Sequence, residues 1–78
     1  MDKVARAKHA EQLLRDDTLR EALNAVYKGY QDTMLSQGVS DEMALEARRG
    51  YHALQQVETR LRSFIADGRI EDKRKSGP

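Results

Sequence analysis

Six positions, Ala47, Gly50, Leu54, Val57, Leu61 and Phe64, recur at intervals of three, four, three, four and three residues. That rhythm holds one face of a helix against another helix along its length, and it predicts a long helix over about 41–67. A second stripe, Leu19, Leu23, Val26, Tyr30 and Met34, is widened by Ala22, Tyr27 and Leu35 and predicts a helix over about 17–36. A third, Val4, Ala7, Ala10, Leu13 and Leu14, faces away from Lys3, Arg6, Lys8, Glu11 and Arg15 and predicts a helix over about 2–15. This last stripe is alanine-rich and shallow, suited to lying on a surface rather than anchoring a core. A helix so short is marginal alone in water and is expected to be ordered only where it docks.

The breaks between these stripes carry their own chemistry. Asp16, Asp17 and Thr18 all offer side-chain oxygens to the free N–H groups that begin a helix, and Thr18 with Glu21 fits a capping box. Gly38 suits the left-handed position after a helix end, Ser40 suits the next N-cap, and Asp41 and Glu42 suit a positive first turn. A turn of four to six residues between two amphipathic helices implies an antiparallel pair. The expected fold is therefore all-α: a short N-terminal helix followed by an antiparallel helical hairpin with a long C-terminal helix. One domain over 1–68 is expected, with RIEDKRKSGP (69–78) as a flexible basic tail. At 1.5 Å per residue the third helix spans ~40 Å and the second ~28 Å. Leu61, Phe64 and Ile65 then outreach the second helix and need cover from the first segment or from another chain. Gly29, in mid-helix, is either a tolerated cost or a point of close approach.

Composition narrows the possibilities. Seventy-eight residues with 35% charged and only 5% aromatic side chains allow a thin core, and oligomerisation or docking is the usual way to bury more. Fourteen basic against thirteen acidic groups leave a net charge of +1, so no overall field draws the chain to nucleic acid or membrane. Without cysteine neither a disulfide framework nor a thiolate zinc site is possible. The start, MDKVARAKHAEQLL, lacks the apolar run of a signal peptide, and no stretch approaches a membrane span.

No catalytic motif stands beside the helical stripes. His9 and His52 lie on different segments without metal-ligand spacing. No serine sits in a nucleophile elbow, and Glu58 with Arg62 reads as an i,i+4 pair. No enzyme, cofactor, metal or small-molecule substrate is expected. Tyr27, Tyr30 and Tyr51 border the stripes, where rings pack and hydroxyls stay wet, and beside Arg48 and Arg49 they also suit an interface rim. The expected protein-binding residues are Leu54, Val57, Leu61, Phe64 and Ile65, with Tyr30 and Tyr51 at the rim. Lys73, Arg74 and Lys75 are the candidate phosphate contacts, tempered by Glu71 and Asp72.

The stretches AEQLLRDDTLREAL (10–23) and YHALQQVETRLRSFIADGRI (51–70) resemble small all-helical proteins encoded by tailed bacteriophages among genes for DNA packaging and virion assembly. The resemblance spans about residues 10–70 and is one of rhythm, with no chemical motif to transfer. It implies a structural, assembly or host-takeover role in the host cytoplasm or the virion. The leading expectation is a non-enzymatic virion or assembly component that self-associates or binds a larger phage or host protein. The alternatives are a small inhibitor or adaptor of a host or phage enzyme, and a DNA-associated packaging accessory or regulator using the basic tail.

Overall fold

The computed structural model describes residues 2–76 and is all-helical, with no strand among them. Three helices follow one another: α1 (Lys3–Arg15), α2 (Asp17–Leu35) and α3 (Asp41–Ser76). Each start is fixed by a side-chain cap. The Asp2 carboxylate accepts from the backbone N–H groups of Val4 (2.7 Å) and Ala5 (3.2 Å). The Asp16 carboxylate accepts from Leu19 at 2.8 Å, and the Ser40 hydroxyl accepts from Met43 at 3.2 Å. Of the three competing residues at the second start, Asp16 therefore wins, and the Thr18 capping box is not used. Gly38 adopts the left-handed conformation (φ 85°) that its place after α2 requires.

Asp16 alone separates α1 from α2. Its ψ of 118° leaves the helical region, so it ends one helix while capping the next. Along α3 the partners run in reverse order. Tyr30 meets Gly50 and Tyr27 meets Tyr51. Leu14 and Leu23 share a cleft with Glu58 and Arg62, and Ala7 lies on Gly68. Thus α1 and α2 form one interrupted arm antiparallel to α3. The result is a rod of 62 × 23 × 17 Å with a radius of gyration of 17.1 Å, against ~11–12 Å for a compact globule of this length.

Two expectations are corrected. The long helix does not end before Gly68; it continues to Ser76. Residues 69–76, expected as a flexible tail, are helical, while Gly77 and Pro78 lie outside the described residues, as does Met1. The physical reason is register. Gly68 continues the seven-residue row of Ala47, Leu54 and Leu61, so it is a seam position and not a terminator. It is buried, and a Cβ there would overlap the Ala7 side chain and press on the Lys3 carbonyl oxygen. The absent side chain lets α1 approach.

The second correction concerns α1. Its shallow stripe does supply core. Among the described residues the buried apolar side chains are Ala7, Ala10 and Ala47, and no large side chain is fully buried. Small residues bring the backbones close, and α1 covers the far half of α3 that α2 cannot reach. Gly29 has nothing within 4 Å of an added Cβ, so it is simply a tolerated cost.

Candidate protein-interaction surface

Two helical arms in one layer leave two open flanks, and these differ in chemistry. On one, Tyr27 packs edge-on against Tyr51 with ring centroids 4.8 Å apart. The cleft beside them is lined by Gln55, Glu58, Thr59 and Arg62. Arg62 pairs with Glu58 at 3.4 Å. Burial, and then the Glu58 carboxylate facing it, raise the pKa of the Tyr27 hydroxyl above its ordinary value. Arg69 reaches Glu11 at 4.0 Å. This flank is polar and largely self-satisfied.

The other flank carries exposed apolar side chains interleaved with polar ones. Tyr30, Thr33, Met43, Ala47, Gly50 and Ala53 line one open groove of about 630 Å³. It shares Ala53 with a second, of about 1110 Å³, that lies on α3 alone and extends round its outer face, where Val57, Leu61 and Phe64 alternate with Gln55, Thr59 and Arg60. Met43 and Val57 are each 55% exposed. Val26, four and seven residues before Tyr30 and Thr33, lies on the same side of α2 and is 46% exposed. On α1, Arg6 places its guanidinium 4.1 Å above the Phe64 ring. Leu13, seven residues on, shares that side of α1 and is 47% exposed. Leu13, Val26, Ala53, Val57 and Met43 therefore follow one flank of the rod from the turn end to its middle, where α1 meets α2.

The cation over Phe64 is the most specific contact of α1. Its terminal nitrogen also lies 3.8 Å from the Asp67 carboxylate, while Nε is shielded from solvent with no hydrogen-bond partner among the described residues. The guanidinium face is used for stacking and one edge for charge, a combination lysine cannot reproduce.

The structure separates the residues expected from sequence. Leu54, Leu61, Phe64 and Ile65 are half-buried within the molecule, and Phe64 lies beneath Arg6. Tyr30 fills the space over Gly50. Tyr51 belongs to the polar flank, next to His52, whose Nδ1 is 3.1 Å from the Gln55 amide oxygen. Val57 alone of the seven is a large, well-exposed apolar side chain. Lys73, Arg74 and Lys75 ride on the last turns of α3 instead of a loose tail. The charge of Lys75 reaches the Asp2 cap, whose carboxyl is held below its ordinary pKa first by the Ala5 and Val4 N–H groups. Leu13, Val26, Met43 and Ala53 were missed as surface residues. The signal for Met43 was present, since Met43, Gly50, Val57 and Phe64 form a seven-residue row beside the seam.

Among the described residues no group of three His, Cys, Asp or Glu side chains is placed to share a metal ion. No described helix is long and apolar enough to cross a membrane. No protein-family model matches the chain, and no curated protein or solved structure proves similar to it.

Proposed function

We propose that this chain is a non-enzymatic interaction protein, a component of a bacteriophage particle or of its assembly, that acts by laying its helical hairpin along another protein. One observation carries this reading. Among the described residues the fold buries only alanines and a glycine, while Leu13, Val26, Leu35, Met43, Leu45, Val57 and Ile70 stay exposed. A chain that leaves this many large apolar side chains exposed and buries none fully can gain further burial from a partner. The phage setting is supported by the resemblance of 10–23 and 51–70 to small helical phage proteins.

The test is quantitative mass spectrometry of purified phage particles and of their assembly intermediates. A copy number matching a symmetric ring or shell is expected in one of them. Absence from both, together with stoichiometric capture of one host or phage enzyme whose activity the chain lowers, replaces this reading with that of an inhibitor.

The DNA-associated reading draws support from one feature. Arg74 and Lys75 are exposed on a helix at the same end as Lys3. It requires salt-sensitive retention on DNA that is lost when residues 73–75 are neutralised.

A further inference from the structure

The two arms sort charge along the rod. Residues 29–47, the tip at the turn end, contain Asp32, Asp41, Glu42 and Glu46 and no Lys or Arg, a formal charge of −4, with Lys28, Arg48 and Arg49 bordering it. Residues 2–15 and 60–75 are brought together at the other end by the antiparallel packing. They hold ten cations against five carboxylates, a formal charge of +5. Between these poles runs the flank of Leu13, Val26, Ala53, Val57 and Met43, with Val57 close to the midpoint of α3.

The rod also has surface to spare. Its accessible area is 6332 Å², against ~4,800 Å² for a globular chain of 8.9 kDa. The excess, roughly 1,500 Å², is larger than the ~800 Å² that each partner commits to a standard interface.

We propose that a second copy of this chain docks along this flank, antiparallel and two-fold related, so that the acidic turn end of each copy faces the basic end of the other. A two-fold axis near Val57 sets the apolar flanks against each other and matches opposite charges at both ends of the rod at once. A parallel pair would set −4 on −4 and +5 on +5. A head-to-tail pair would match charge at one end only and leave the apolar flank wet. The closed antiparallel pair uses both features and is isologous, as most homodimers are. It rests on the reading that this chain works by helix packing and names the partner surface.

Sedimentation equilibrium from about 1 µM to about 1 mM, with circular dichroism as a fold control, tests it. A dimer is expected, and Val57→Asp should weaken it at least ~10-fold with helix content unchanged, because Val57 is exposed in the single copy. Reversing charge at one end (Glu42→Lys with Glu46→Lys, or Arg74→Glu with Lys75→Glu) should weaken the dimer. Reversing both ends in one chain should restore it. With no native cysteine, a spin label on Gln37→Cys reports orientation, and inter-label distances approaching the 62 Å rod length are expected. Short inter-label distances, open-ended growth, or failure of the double reversal to rescue each overturn the proposal. A monomer at ~1 mM also overturns it, while the interaction reading still stands or falls on the particle composition.

Discussion

Glycine has three meanings along these helices, and each follows from what an added methyl group would meet. At Gly29 there is open space, so only the backbone cost of glycine remains. At Gly50 the methyl would meet the tip of the Tyr30 ring, 2.5 Å from Cζ, which can swing aside. At Gly68 it would meet Ala7 and the Lys3 carbonyl of a packed helix, which cannot. Gly29→Ala is therefore expected to stabilise by up to ~1 kcal/mol through helix propensity. Gly68→Ala gains the same propensity but overpacks the α1–α3 contact, a cost of ~1–3 kcal/mol that outweighs it. Urea denaturation midpoints should move up for the first and down for the second. Equal shifts in one direction would mean that Gly68 is not a contact. The sequence alone suggests the opposite of Gly68, because glycine after an amphipathic run ordinarily reads as a helix end.

At the level of elements, α1 is legible as a helix but not as a core component. Its stripe of Ala7, Ala10 and Leu14 looks shallow because small side chains offer little area to bury. Close backbone approach instead makes small residues the buried ones, with Ala10 only 2% exposed. Docking of α1 depends on its first turn, where Asp2 is held as a carboxylate by the Val4 and Ala5 N–H groups. Its folded pKa lies below the ordinary 3.8. Its contribution is thus complete above that value and is lost as pH falls through the lowered one. Amide protection at Val4 and Ala5, followed by NMR, should decline below about pH 4. Asp2→Asn keeps a capping oxygen and should remove that dependence. Unchanged pH sensitivity in Asp2→Asn would place its origin elsewhere. The same ambiguity of Gly68 hides the length of α3, which runs on to Ser76. Lys73, Arg74 and Lys75 read as a solvated tail, yet cations suit the last turn of a helix, where the macrodipole is negative.

For the whole molecule, a net charge of +1 conceals an acidic tip at the turn and a basic opposite end. The acidic pole is contiguous in sequence, but the basic pole exists only because the arms fold back and set residues 2–15 beside 60–75. The antiparallel dimer has a thermodynamic consequence. Folding coupled to association makes the unfolding temperature depend on concentration, by roughly 5 °C per tenfold for a chain this small. Differential scanning calorimetry over a concentration series should show that slope in the native chain and a flat line in Val57→Asp. A flat line in both would decouple stability from self-docking.

The sequence by itself determined that the chain is helical, where two of its three helices start and turn, and the seam row of Ala47, Leu54 and Leu61, but not that Val26 and Val57 stay exposed. Capping chemistry and seven-residue spacing are local properties that need no partner to be read. The tertiary structure alone decided which helix covers which part of α3. It also decided that Gly68 is a contact, that Phe64 lies under Arg6, and that Leu13, Val26, Met43 and Val57 share one flank. Those outcomes depend on how closely two backbones approach and on which side of the seam each row falls. Neither distance nor side is written in the order of residues along a single helix.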